Sequence, residues 1–164
     1  VGFGSSGGPP MLNVLYNNNY QIVQSPGYVM IMVEMNHDAR IIRLNSEFNP
    51  DSMRRWLGDS IGFWEGNTLV VKTKNHHPQQ KFRAAIRHQI LITEDAEITE
   101  RFTRVGNNEI LYQFEVNDDE AYKDVWKGEM PLRASQEKIY EYACHEGNYA
   151  MANILAGARA EEEK

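Results

Sequence analysis

Ten residues near the C-terminus concentrate much of the chemistry this chain could do. Tyr140-Glu141-Tyr142-Ala143-Cys144-His145-Glu146-Gly147-Asn148-Tyr149 brings carboxylates, an imidazole, phenols, an amide and the sole cysteine into one stretch. An imidazole beside a carboxylate can move protons near neutral pH. A second such pair, His37-Asp38, lies far upstream. Neighbours along a strand point to opposite faces, so each dipeptide offers one group to any one site. Both pairs also have plain structural readings. Glu146 suits the positive end of a following helix, and His37-Asp38 suits a turn before a strand.

A further set consists of carboxylates on apolar faces. Glu34 continues the alternation Tyr28, Met30, Met32, which points it into a protein interior. Glu100 shares a face with Ile98, Phe102 and Arg104, and Glu141 shares one with Ile139 and Ala143. A carboxylate in such a place is costly unless it is paired or protonated. Pairing would use Arg40 or Arg104. Protonation would make a general acid or base whose pKa is raised by desolvation. The catalytic candidates are therefore Glu34, His37 and His145 for proton transfer, with Asp38, Glu100 and Glu141 orienting them. Arg40, Tyr112, Glu146, Tyr149 and the amide run Asn17-Asn18-Asn19 would position a substrate. Trp64 and Trp126 would wall the cavity with aromatic surface. The asparagine run reads equally as a turn, and the tryptophans as core.

Other chemistries have less behind them. Five histidines are present, but no His-x-x-x-His or His-Glu-x-x-His spacing, so neither a metal nor a cofactor is expected. His76-His77 reads as a solvent-exposed loop pair. Gly58-Asp59-Ser60-Ile61-Gly62 sits at a strand start, not at the strand-to-helix elbow a nucleophilic serine needs. Cys144 reads as an inert thiol or as the partner of a cysteine upstream.

The elements that must hold these groups are mostly short strands. Tyr20–Gln24 and Tyr28–Met35 form a hairpin around Ser25-Pro26-Gly27, and His37–Leu44 follows as a strand. Ser52–Leu57 reads as a short helical turn. Ser60–Glu65 and Thr68–Asn75 form the clearest hairpin, turning at Glu65-Gly66-Asn67. Ile86–Thr93, Ala96–Val105 and Glu109–Val116 read as a meander. Ala121–Met130 is a strand stopped by Pro131, Lys138–Cys144 is the last strand, and Asn148–Glu163 is a helix. The pattern predicts a mainly β fold: an antiparallel, lipocalin-like barrel of about eight to ten strands with a C-terminal helix. Residues 1–15 form an extended or mobile lead-in, 16–144 the barrel and 145–164 the helical end of one domain.

Composition narrows the partners. A net charge of -6 without a basic stripe argues against nucleic acid. No apolar run approaches the roughly 20 residues of a membrane-spanning helix. A small molecule is the expected partner, with a homodimer as a further option. The Gly/Ser/Pro-rich start suggests that an upstream piece was removed or is not included.

Several blocks taken together resemble a known group. They are Tyr16-Asn17-Asn18-Asn19-Tyr20, Glu34-Met35-x-His37-Asp38-x-Arg40-Ile41-Ile42, Trp56-Leu57-Gly58-Asp59-Ser60-x-Gly62-x-Trp64-Glu65-Gly66-Asn67-Thr68-Leu69-Val70-Val71, Glu100–Val105 and Tyr140–Tyr149. They resemble a family of small exported bacterial proteins of unassigned function. The resemblance implies a periplasmic or secreted protein and carries no activity with it. His76-His77 departs from the Asn-Phe expected there. The expectation from the residues is a cofactor-free acid–base enzyme of lyase, dehydratase, isomerase or cyclase type, acting on a small apolar or aromatic molecule. A non-catalytic carrier of the same fold, or an assembly subunit, is the alternative.

Overall fold

The computed structural model describes residues 7–84, 89–143 and 145–162. Strands β1 (Tyr20–Ser25) and β2 (Tyr28–Val33) form the first hairpin, and β3 (Ala39–Leu44) pairs antiparallel with β2. Gly27 at φ +80° supplies the left-handed turn residue. Strand β4 (Asp59–Glu65) pairs with β3 in parallel, through Ile42↔Ser60, Arg43↔Ile61 and Leu44↔Gly62. A parallel neighbour needs a crossover, and residues 45–58 supply it. The buried Asp59 carboxylate fastens that crossover. It accepts from Arg43 Nη2 (2.8 and 3.0 Å), the Asn49 N–H (2.7 Å) and Asn49 Nδ2 (2.8 Å).

Strand β5 (Thr68–Lys74) completes the second hairpin, and β6 (Phe82–Ala84) with β7 (Gln89–Leu91) forms a separate two-stranded sheet. Then come β8 (Glu97–Gly106), β9 (Glu109–Asn117), β10 (Trp126–Arg133) and the helix α1 (Ala150–Glu162). The main sheet has the order β1-β2-β3-β4-β5-β8-β9-β10.

This is a mainly β protein: an eight-stranded mixed sheet curled into a half-barrel, plus one C-terminal helix. Two expectations are thereby corrected. The barrel is not closed, because β1 and β10 end the sheet order and do not pair. The sheet is not purely antiparallel, because of the β3–β4 joint.

The core lies on one face. Val29, Ile31, Ile42, Leu69, Val71, Ile98, Phe102, Tyr112, Phe114 and Val116 form one buried cluster with Met11, Ile92 and Ala96. Each such side chain stabilises the fold by about 1.5–3 kcal/mol when fully removed from water. Gly7 to Met11 are buried too. Residues 7–11 of the lead-in are therefore packed structure, and Met11 joins the core cluster.

Several local expectations also change. The buried face of β2 is Val29, Ile31 and Val33, not Tyr28, Met30 and Met32. Glu34 is buried, but it follows the strand with helical φ/ψ (-62°, -42°), out of phase with either face. Residues 52–57 form turns and a bridge, not a helix, and Lys138–Ala143 is irregular rather than a strand. The Cys144 expectation lies outside the described residues. Strand β10 runs through Pro131 instead of stopping there. Pro131 has no N–H to donate, which an edge strand tolerates. His76 is fully buried rather than exposed, and His77 stacks on Trp56 with ring centroids 4.2 Å apart.

Every described residue of α1 is exposed, including Met151, Ile154 and Leu155. Asn148 Oδ1 accepts the Ala150 N–H at 3.1 Å, satisfying one free donor at the helix start. No described helix is long and apolar enough to cross a membrane.

Candidate functional site

Two polar assemblies and one cleft account for most of the residues singled out above. The first assembly lies on the concave face. Strands β3 and β8 place Arg40 and Glu100 in the same apolar layer, 3% and 0% exposed. Arg40 Nη2 donates to Glu100 Oε1 at 3.0 Å, and Nη1 donates to Oε2. The Tyr112 hydroxyl on β9 donates to Glu100 Oε1 (2.8 Å) and accepts the Met11 N–H (2.8 Å). Burial, aided by the Glu100 charge, holds the Tyr112 phenol well above its usual pKa. Burial alone would lower the Arg40 pKa, but the charge and hydrogen bonds of Glu100 outweigh it and raise it. The group is a paired, desolvated network covered by the lead-in. It realises the ion-pair reading of Glu100, with Arg40 rather than Arg104 as partner.

The second assembly gathers at the start of β1 and the end of β2. Asn19 Nδ2 donates to Glu34 Oε2 (2.7 Å), and the Tyr140 N–H donates to Glu34 Oε1 (3.2 Å). The Tyr142 N–H donates to His37 Nδ1 at 3.2 Å, so the neutral imidazole carries its proton on Nε2. The rings of Tyr16 and Tyr142 stack at 6.4 Å, with their hydroxyls 3.3 Å apart. Asn18 bonds both to the Val14 N–H (2.7 Å) and to the Val14 carbonyl (2.8 Å), closing the loop that carries Asn19. Asn17, Asn36 and His37 have φ of 55°, 61° and 54°. Asparagine and histidine enter that region more often than most residues, yet it stays sparsely populated for both. The backbone therefore holds His37 in a costly conformation.

His37 lines a cleft of about 980 Å³. One wall is Tyr20, Gln21 and Ile22 of β1 with Met32 of β2, and the other is Met130 to Arg133 of β10 with the turn from Arg104 to Glu109. Residues 134–139 connect the two walls. At one end the Ala134 N–H donates to the Asn108 carbonyl (2.9 Å), and at the other Tyr140 is tied to Glu34. The cleft is the gap left where the sheet does not close.

The structure thus brings Glu34, His37, Asn18 and Asn19 together, with Asn17 in the same loop. Arg40, Glu100 and Tyr112 meet at a different place. Asp38 is half-buried, and its carbonyl accepts the Val33 N–H (2.9 Å). Glu141, His145, Glu146 and Tyr149 are exposed, and no described side-chain contact joins them to His37 or Glu34. Trp64 is 46% exposed near the hairpin turn. Trp126 packs on Phe114 and Tyr122, with centroids 5.3 and 5.9 Å away. Neither tryptophan lines the cleft. Among the described residues no three His, Asp, Glu or Cys side chains gather as metal ligands do.

Gln21, Met32, Arg104, Ile110, Met130, Arg133 and Lys138 line the cleft and were not singled out from the sequence as a site. Gln21 lies on one end strand and Met130 and Arg133 on the other, while the rest come from β2, the β8–β9 hairpin and the segment after β10, so the strand order and not a local pattern gathers them. No protein family, curated protein or solved structure matches the chain.

Proposed function

We propose that the protein binds a small, largely apolar organic molecule in the cleft between β1 and β10, as a lipocalin-like carrier would. The observation that carries this reading is the cleft itself. Its volume is within the range of small-molecule sites, and Ile22, Ile110, Met130 and Leu132 give it an apolar strip on one face of the sheet beside a lining otherwise rich in polar side chains. Glu100 and Glu34 already accept bonds from Arg40, Tyr112, Asn19 and Tyr140. That leaves less free acid–base capacity than an enzyme using both carboxylates would need. Export to the periplasm or the medium belongs to the proposal on the sequence resemblance alone.

Titration with the neutral dye Nile red tests it. Enhanced, blue-shifted emission that Ile22→Glu and Met130→Glu remove is the expected result. No emission change with the wild-type protein would overturn the reading.

A second reading, acid–base catalysis at the same cleft, has one observation in its favour. Consecutive positive φ values at Asn36 and His37 present an imidazole of defined tautomer to the cavity. Strain of this kind gathers at functional sites. His37 would donate from Nε2 to a substrate oxygen in a lyase or isomerase step. His37→Gln should then abolish turnover while leaving ligand affinity within about threefold, the range expected when binding does not depend on the proton.

A further inference from the structure

We infer that the cleft selects an anion: a molecule with an apolar body and one carboxylate. This deepens the proposed binding function and rests on it. The chain as a whole is acidic, with a net charge of -6. The cleft lining runs the other way, with Arg104, Arg133 and Lys138 against Glu109 and Glu137.

The pairing within that set sharpens the imbalance. Arg133 Nε reaches Glu109 at 3.4 Å, so those two charges largely offset each other. Arg104 donates from Nε and Nη2 to the Gly106 and Asn107 carbonyls, both at 3.1 Å. Those bonds fix the guanidinium over the β8–β9 turn without neutralising it. Among the described residues neither Arg104 nor Lys138 takes part in an ion pair. Glu137 is the remaining acid on the lining against the two cations Arg104 and Lys138, which leaves an excess of positive charge there. A guanidinium held by its own turn is pre-organised, and a carboxylate can take its remaining N–H groups. Lys138 adds a mobile point charge from the connecting segment, and His37 adds a neutral N–H donor. The apolar body would lie along Ile22, Ile110, Met130 and Leu132, which share one face of the sheet.

The test is calorimetric titration of the full chain with decanoate, decan-1-ol and decyltrimethylammonium. These share an apolar tail and differ in the head. Decanoate should bind at least about tenfold tighter than the alcohol, as charge-assisted bonds exceed neutral ones, and the cation should bind weakest. Arg104→Gln/Lys138→Gln should bring decanoate down to the level of the alcohol and leave the alcohol unchanged. Both side chains are exposed, so this variant should keep its unfolding midpoint, which is measured alongside.

Equal binding of decanoate and decanol, lost together in Ile22→Glu, would overturn the anion selectivity and leave the binding reading standing. A decanoate preference that survives Arg104→Gln/Lys138→Gln would also overturn it, since the head would then sit elsewhere. No binding of any of the three, together with failure of Nile red to bind, would overturn both.

Discussion

The Arg40 guanidinium holds both oxygens of the Glu100 carboxylate across the concave face, joining β3 to β8 where neither side chain meets water. These strands are not neighbours, since β4 and β5 lie between them. The pair therefore acts across the curvature of the sheet, where no backbone ladder can.

Breaking that pair should be far worse than replacing it. Glu100→Ala or Arg40→Ala leaves a buried charge without its partner and should cost about 3–5 kcal/mol. Arg40→Met with Glu100→Leu removes both charges and should recover most of the loss. Urea unfolding of the three variants measures this. A Glu100→Ala cost below about 1 kcal/mol would show that the carboxylate is not the strut its geometry suggests.

Tyr112 should make the fold sensitive to alkali. Its folded pKa is raised well above 10.0, chiefly by burial and then by the Glu100 charge. In the unfolded chain the phenol deprotonates near its ordinary value, so above it the native state holds the extra proton. Stability then falls as pH rises, at up to about 1.4 kcal/mol per pH unit, until the folded pKa is reached. Tyr112→Phe should flatten that slope relative to wild type. It should also cost about 1–3 kcal/mol at neutral pH, by removing the acceptor of the Met11 N–H. Denaturation midpoints across alkaline pH, with tyrosinate absorbance alongside, would decide it.

The sequence made parts of this assembly readable and hid others. Period-two alternation located β8 and β9 closely, because each has one buried face, and it located β5 although Val70 is buried opposite Leu69 and Val71. It also marked Glu100 as a carboxylate in need of a partner. It misjudged β2, where both faces are apolar and only the register against β1 and β3 decides which is buried. The period of Lys138–Cys144 suggested a strand, yet Tyr140 and Tyr142 donate their N–H groups to the side chains of Glu34 and His37. Bonds to side chains more than a hundred residues away leave no local signature. The cleft was illegible for the same reason, as it exists only because β1 and β10 fail to pair.

His37 should be found as one tautomer. With the Tyr142 N–H donating to Nδ1, the neutral ring must carry hydrogen on Nε2. Nitrogen chemical shifts of the neutral imidazole should report the Nε2–H form predominating. Tyr142→Phe keeps the N–H and should leave the tautomer unchanged. Tyr142→Pro removes the donor and should mix the two forms. A predominance of the Nδ1–H form in the wild-type protein would contradict the contact.

The lead-in should behave as core. Met11 is 0% exposed and belongs to the same cluster as Tyr112 and Ile98, while its N–H ends the chain of bonds from Arg40 through Glu100 and Tyr112. Met11→Ala deletes buried volume and should cost about 2–5 kcal/mol. Met11→Leu nearly conserves volume and should cost less than about 1.5 kcal/mol. Removal of residues 1–11 should be more damaging than either, because it uncovers apolar surface on the concave face and leaves the Tyr112 oxygen without its backbone donor. Unfolding curves, with an apolar fluorescent probe to report exposed core, separate these cases. If the truncated chain unfolded at the wild-type midpoint without binding the probe, the lead-in would be an ornament on a self-sufficient sheet. A large loss would mean that this half-barrel uses its own N-terminal segment where a closed barrel would use more strands.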